Sequence, residues 1–219
     1  MADIGAVVFD FDGVLANSEP LHLQSYQAVL DELGVTLGRD EYYQHYLGFD
    51  DATAFRTLSD RRGLGWNTEQ ITEIIARKAA IFDDIIVSAD VIYPEAIACV
   101  ERLAASLPLG IASGALRHEI EAILRRSSLD KHFRFIVAAG ETTRGKPAPD
   151  PYRRAARLHS RAPEQCVAIE DSRWGIESAK DAGLHCVGIT TSYAARDLPG
   201  ADAIIGSLDE FTVDLLTSL

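Results

Sequence analysis

Long hydrophobic runs are missing from this chain of 219 residues. No apolar stretch reaches the roughly 20 residues that a membrane-spanning helix requires, so no membrane partner is expected. The first residues lack the basic region of a signal peptide, which gives the expectation of a cytoplasmic protein. Internal repeats and low-complexity segments are lacking as well.

Cysteine is also scarce, with Cys99, Cys166 and Cys186 as its only representatives. Three scattered cysteines are too few for a disulfide framework or a zinc site, and they fit a reducing compartment. Cys166 and Cys186 fall in predicted buried strands, where we expect them to pack as small hydrophobic residues.

Basic residues are few, because the chain has 21 lysines and arginines but 33 aspartates and glutamates, which gives a net charge of −12. A nucleic-acid partner would require a basic surface stripe, so none is expected. An acidic protein still binds an anionic metabolite where a cation, basic side chains and helix N-termini meet locally. The net charge therefore leaves a small anionic substrate open.

What the chain does have is an alternation of short apolar strands and helices. Its length and its hydrophobic content of 47% suffice for one sizeable core with an insertion. This alternation predicts the α/β class, with a Rossmann-like parallel sheet and helices on both faces. Residues 17–88 contain no convincing strand and are predicted to form an inserted α-helical cap. Residues 1–16 and 89–219 then form the core.

The first predicted strand ends in two carboxylates and a glycine, within the stretch Ala6–Val14. Side chains alternate along an extended segment, so Asp10 and Asp12 point the same way at the carboxyl end of the strand. Ligands bind at this end of an open α/β sheet. Two like charges this close repel unless a cation lies between them, and Mg²⁺ prefers oxygen ligands. The alternative is a polar loop in which an aspartate caps a turn.

Further polar residues follow later strands or lie in a stiff loop. Ser113 leaves the second strand, Glu170 and Asp171 leave a later one, and a loop with three prolines holds Lys146. Because parallel strands bring their carboxyl ends together, we expect these side chains to converge. Each of these residues, taken alone, also has a structural explanation. Ser113 or Ser172 could be a helix N-cap, and Lys146 could be a solvated charge. The acidic pair Glu170 and Asp171 could cap the start of a helix.

Four segments in order resemble the motifs of the haloacid dehalogenase-like hydrolase superfamily. They are Asp10–Val14, Ala112–Gly114, Gly145–Asp150 and Ile169–Ser172. The resemblance covers essentially the whole chain and is greatest to the branch of β-phosphoglucomutase and phosphoglycolate-type phosphatases, which carry an α-helical cap. It implies a Mg²⁺-dependent phosphoric monoester hydrolase that acts on a small phosphate ester, such as a sugar phosphate, through a phosphoaspartate intermediate.

The resemblance also implies a role for each motif residue. Asp10 would be the nucleophile, and Asp12 would be first the general acid and then the general base. Ser113 would donate to a phosphoryl oxygen, and Lys146 would balance the charge between nucleophile and phosphate. The implied magnesium ligands are Asp10, Asp12, Glu170 and Asp171.

The choice between phosphatase and mutase depends on the helical block. The mutase pattern carries a histidine and a lysine where this chain has His22 and Lys78, but it requires an arginine where this chain has Asp51. Reversing the charge at an anion-binding position favours a phosphatase. As structural residues, His22 would be a polar helix residue and Lys78 a solvated charge. The predicted substrate contacts are His22, Gly48, Asp51, Lys78, Gly114 and Arg117, with Arg56 as a possible substitute for the missing arginine.

A further alternative is a non-catalytic binding protein on the same fold, against which the complete set of six core polar residues argues. The expected partner is a small phosphate ester alone, and the chain is expected to be a monomer or a weak homodimer.

Overall fold

The protein is described by a computed structural model that covers residues 4–46, 49 and 51–219. By its contacts the chain divides into two compact units, one from residues up to Ser18 together with Asp90–Leu219, the other from Glu19–Ala89. The sequence places the boundaries of the insertion at 17 and 88. Its assignment as a cap stays a prediction.

The first unit is built on a six-stranded sheet. Its strands are β1 (Ala6–Phe9), β2 (Leu109–Ala112), β3 (Phe133–Val137), β4 (Cys166–Glu170), β5 (His185–Ile189) and β6 (Ala203–Ile205). Their order is β3-β2-β1-β4-β5-β6, and each neighbouring pair is parallel. The four residues of β1 are fully buried, because a central strand of a parallel sheet is covered on both faces. The α/β class with a Rossmann-like parallel sheet is confirmed.

Helices alternate with these strands, as the sequence predicts. Those of the sheet-containing unit are α5 (Pro94–Ala104), α6 (Arg117–Arg126), α7 (Asp150–His159), α8 (Arg173–Asp181) and α9 (Val213–Ser218). Ser172 is the N-cap of α8 and accepts a hydrogen bond from the Gly175 amide at 3.1 Å. The capping explanation of Ser172 is therefore correct.

The second unit contains helices and no strand within the residues that the structure describes in it. Its helices are α1 (Glu19–Glu32), α2 (Arg39–His45), α3 (Asp51–Arg62) and α4 (Thr68–Ile86). The N-terminus of α4 is closed by a capping box between Asn67 and Gln70, with Asn67 as the N-cap. An apolar core that includes Tyr26, Tyr42 and Phe55 holds these helices together.

Among the helices within residues 4–46, 49 and 51–219, none has both the length and the apolarity that crossing a bilayer requires.

Candidate active site

Three carboxylates meet at the carboxyl ends of β1 and β4, where the strand order reverses. Phe9 lies opposite Ile169 in the sheet, and the amide of Asp10 donates to the Ile169 carbonyl at 3.0 Å. This register brings Asp10 to Glu170 and Asp171, and oxygens of all three side chains lie within 4.8 Å of one another. The reversal of strand order in an open parallel sheet is the usual position of a ligand site.

Lys146 lies between two of these carboxylates. Its Nζ donates to Asp10 Oδ1 at 2.7 Å and to Glu170 Oε1 at 2.5 Å. Burial alone would lower the pKa of this ammonium, but the charges of Asp10 and Glu170 together raise it above its usual range. Lys146 is therefore a permanent cation of the site, and its explanation as a solvated loop charge is wrong.

Glu170 is fully buried and has a second strong donor. The hydroxyl of Tyr152 donates to the same Oε1 at 2.6 Å. On its other side the carboxylate packs against Gly175, where an added Cβ would stand 1.9 Å from its carbon. Burial, followed by the charge of Asp10, raises the pKa of Glu170, although Lys146 and Tyr152 oppose this.

The carboxylate of Asp171 packs directly against the backbone of Gly13. Gly13 has a φ of +78°, and a Cβ there would stand 1.9 Å from Asp171 Oδ2, so only glycine fits. The hydroxyl of Ser192 donates to the same oxygen. Burial and then the charge of Asp10 raise the pKa of Asp171 well above its usual range.

The charge count of this cluster fits a divalent cation. When all three are ionised, Asp10, Glu170 and Asp171 carry three negative charges, and Lys146 supplies one positive charge, so two negative charges remain. Burial, followed by the charge of Asp10, raises the pKa of both Glu170 and Asp171, so keeping all three carboxylates ionised requires further positive charge nearby. Carboxylate oxygens so close together are the donor set that a hard cation such as Mg²⁺ takes.

Asp12 and Ser113 lie at the same edge of the sheet. Asp12 follows β1 by three residues, and its carboxylate accepts a hydrogen bond from the Ser18 hydroxyl. Ser113 follows β2, the neighbour of β1, and its buried hydroxyl accepts from the Ala115 amide at 3.0 Å. Helix α6 begins only at Arg117, so Ser113 is not its N-cap. Gly114 lies beside Ser113, with its role still a prediction.

The predicted substrate residues of the helical unit form a second buried cluster. Lys78 is only 3% exposed, so its explanation as a solvated charge is wrong. Its Nζ donates to Asp51 Oδ1 at 3.0 Å and to His22 Nδ1 at 3.2 Å, and the Tyr26 hydroxyl also donates to Asp51, at 2.7 Å. His22 stacks on Phe82, and burial followed by the charge of Lys78 lowers the pKa of His22 to about 3.

The arginines singled out as substrate contacts are differently placed. Arg117 donates to Glu141 at 2.6 Å and to the Ile136 carbonyl at 2.7 Å, and it also pairs with Glu121. Its guanidinium is thus already compensated, which does not favour the predicted anion contact. Arg56 is exposed on α3. Gly48 lies outside the described residues.

Sequence reasoning missed Tyr152, Thr191 and Ser192. Thr191 donates to the Gly13 carbonyl and Ser192 to Asp171, so the loop after β5 completes the site. The available signal was the run of hydroxyl residues after a predicted strand. For Tyr152 the signal was a tyrosine in the first turn of α7, since a buried tyrosine needs a partner for its hydroxyl.

Several known proteins are similar to this chain over nearly all of its length. The validoxylamine A 7'-phosphate phosphatase of Streptomyces hygroscopicus subsp. limoneus is 28% identical over 206 residues, which are 93% of either chain. The β-phosphoglucomutase of Bacillus subtilis is 26% identical over 227 residues, covering 96% of this chain and 93% of that protein. The crystal structure of CbbY from Rhodobacter sphaeroides in complex with phosphate superposes with a TM-score of 0.81 at 26% identity, and 96% of each chain is covered.

A family profile described as haloacid dehalogenase-like hydrolase matches residues 7–189. This range contains all four sequence motifs and the three clustered carboxylates. The chain therefore belongs to the haloacid dehalogenase-like hydrolases.

Proposed function

We propose that this protein is a Mg²⁺-dependent phosphatase that hydrolyses a small phosphorylated metabolite, such as a sugar phosphate. The observation that carries the proposal is the buried excess of negative charge formed by Asp10, Glu170 and Asp171 around Lys146. A phosphate ester is itself an anion, and a site of this sign accepts one only together with a cation.

In the first step, a carboxylate oxygen of Asp10 attacks phosphorus and an Asp10 oxygen–phosphorus bond forms. The bond from phosphorus to the ester oxygen breaks, and protonated Asp12 gives its proton to the leaving alcohol. Lys146 stabilises negative charge as it passes from Asp10 to the phosphoryl oxygens. Ser113 donates its hydroxyl hydrogen to one of those oxygens.

In the second step, Asp12 removes a proton from water, and the water oxygen attacks phosphorus. The bond between Asp10 and phosphorus breaks, which releases inorganic phosphate and restores both aspartates. When bound by Asp10, Glu170, Asp171 and the backbone carbonyl of Asp12, Mg²⁺ supplies positive charge to the phosphoryl group. The two aspartates return to their starting protonation states after each turnover.

A sugar phosphomutase is the second candidate, supported by the β-phosphoglucomutase relative and by the contact of Lys78 with His22. The ion pair between Lys78 and Asp51 speaks against it. A mutase must bind a second phosphate, and a lysine whose charge is already neutralised offers little to that anion. We therefore favour the phosphatase.

The deciding experiment is a screen of phosphorylated metabolites for release of inorganic phosphate, with p-nitrophenyl phosphate as the generic substrate. It is run with Mg²⁺ and with EDTA, alongside an assay for isomerisation of β-glucose 1-phosphate. The proposal expects phosphate release that needs Mg²⁺ and no isomerisation. Inertness to the whole panel would instead favour a binding protein, and isomerisation would favour the mutase.

The expected location is the cytoplasm. The three cysteines are free and buried, which suits the reducing compartment expected from the sequence. Monomer or weak homodimer remains the expected state, to be measured by light scattering.

A further inference from the structure

Tyr152 is a fully buried residue of the sheet-containing unit with no part in the proposed chemistry. It lies in the first turn of α7, six residues after Lys146. A phenylalanine would fill nearly the same volume there without bringing a polar group into the core. Burying a hydroxyl is costly unless the hydroxyl makes a good hydrogen bond, so the bond that it makes indicates what it contributes.

That bond goes to the most constrained carboxylate of the site. Glu170 Oε1 accepts from the Tyr152 hydroxyl at 2.6 Å and from Lys146 Nζ at 2.5 Å. The Tyr152 ring also lies beneath the ammonium, with Lys146 Nζ 5.0 Å from its centroid. The Ser172 hydroxyl also donates to Glu170 Oε2 at 3.4 Å, and Gly175 closes the other side of the carboxylate. Glu170 is therefore fixed by three donors and by close packing against main chain.

Lys146 divides its hydrogen bonds between Glu170 and the nucleophile Asp10. With the tyrosine hydroxyl present, Glu170 Oε1 has a second donor and depends less on Lys146. Without it, Lys146 would be the remaining strong donor to a fully buried carboxylate, and the ammonium would be drawn from Asp10 towards Glu170. The hydroxyl thus affects both a metal ligand and the cation beside the nucleophile.

We propose that Tyr152 is a positioning residue, whose hydroxyl sets the orientation of Glu170 and, through it, the place of Lys146. This inference rests on the proposed function, since it concerns how the same site holds its cation. Partners that orient metal ligands from outside typically change metal affinity about 10- to 100-fold when they are lost.

The test is Tyr152→Phe, with Mg²⁺ binding measured by titration calorimetry in the absence of substrate. The dissociation constant for Mg²⁺ is expected to rise about tenfold. Tyr42→Phe is the matched control, because the Tyr42 hydroxyl also donates to a glutamate, the half-buried Glu19, at 2.5 Å in the helical unit. Both variants lose the same kind of hydrogen bond, so their melting temperatures should fall alike, while only Tyr152→Phe loses Mg²⁺ affinity.

A double-mutant cycle tests whether Tyr152 acts through Glu170. On a Glu170→Gln background, adding Tyr152→Phe should change the Mg²⁺ dissociation constant by less than about twofold. Equal losses in both backgrounds, or a Tyr152→Phe protein that binds Mg²⁺ within twofold of the wild type, would overturn the inference and leave the proposed function standing. A wild-type protein that binds no Mg²⁺ and releases no phosphate would overturn both.

Discussion

Each unit of this protein buries one lysine beside carboxylates, and the two clusters differ in how much negative charge remains after the lysine is counted. Lys146 of the sheet-containing unit bonds to Asp10 and Glu170, with Asp171 close by. Lys78 of the helical unit pairs with Asp51. Both clusters also contain a tyrosine that donates to the lysine's carboxylate partner.

The difference lies in the charge that is left over. Within the described residues of the helical unit, the Lys78 ammonium bonds to the carboxylate of Asp51 and also interacts with the charge of the half-buried Glu19. His22 stays neutral because burial lowers its pKa to about 3. At the sheet edge one ammonium meets three carboxylates. A buried lysine is thus no sign of function by itself. The larger excess of carboxylates around Lys146 distinguishes a site suited to a cation from the ion pair of Lys78 with Asp51.

The largest effect should come from Asp10→Asn. An amide is a poor nucleophile, so turnover should fall by about 10⁴-fold or more, as when a covalent nucleophile is removed from other enzymes. The measurement is phosphate release from p-nitrophenyl phosphate, with circular dichroism to confirm the fold. The control is Asp202→Asn, which loosens the exposed pair with Lys180 and should keep activity. Surviving activity in Asp10→Asn would remove the covalent mechanism.

Next in size is Asp51→Ala, which breaks the balanced pair of the helical unit. Lys78 would remain buried without its counter-charge, at a cost of about 3 kcal/mol in the free energy of unfolding. Urea denaturation measures this loss. The double variant Asp51→Ala with Lys78→Met removes both charges and should regain most of the stability. If Asp51→Ala alone costs nothing, Lys78 is not held by this pair.

Acid should act on a buried histidine of the sheet-containing unit. Burial lowers the pKa of His159 to about 4 from an ordinary value of 6.5, so the unfolded chain takes up the proton first. Stability is therefore complete above pH 6.5 and falls by up to about 3 kcal/mol as the pH drops to 4. Urea denaturation at pH 7, 5 and 4 should show a shallower decline for His159→Phe, and parallel curves would contradict this account.

The smallest effect is expected from Ser192→Ala. It removes the hydroxyl that donates to Asp171 and leaves every charge in place. The Mg²⁺ concentration for half-maximal phosphatase activity should rise by about tenfold or less, a change of at most about 1.4 kcal/mol. Ser127→Ala, whose hydroxyl donates to the helix carbonyls of Ile123 and Leu124, is the control. No change in Ser192→Ala would mean that the Ser192 hydroxyl does not orient Asp171 for the cation.

The fold and the positions of the sheet-edge acids follow from the sequence by local rules. Apolar runs of four or five residues that end in Asp10 and Glu170 indicate buried strands, and parallel strands bring such ends together. The backbone register then aligns the ends of β1 and β4, since Phe9 lies opposite Ile169. No side-chain detail is needed for this conclusion.

Contacts that depend on side-chain direction were beyond such rules. Asp51 and Lys78 lie 27 residues apart on different helices, and nothing local indicates that they pair. Arg117 was predicted to contact the substrate, yet in the structure its guanidinium donates a hydrogen bond to Glu141, 24 residues away. The Tyr152 hydroxyl meets Glu170 only because α7 packs beside the central strands. Such pairings are decided by tertiary packing.

The two glycines behind the acids have a wider consequence. Because Gly13 touches Asp171 and Gly175 touches Glu170 without an intervening side chain, main-chain packing fixes the separation of the acids. One methyl group at either position would spoil the site while sparing every ionisable residue. Inactive descendants of such a protein can therefore keep all their acidic residues. A comparison of ionisable residues alone would then wrongly identify them as active enzymes.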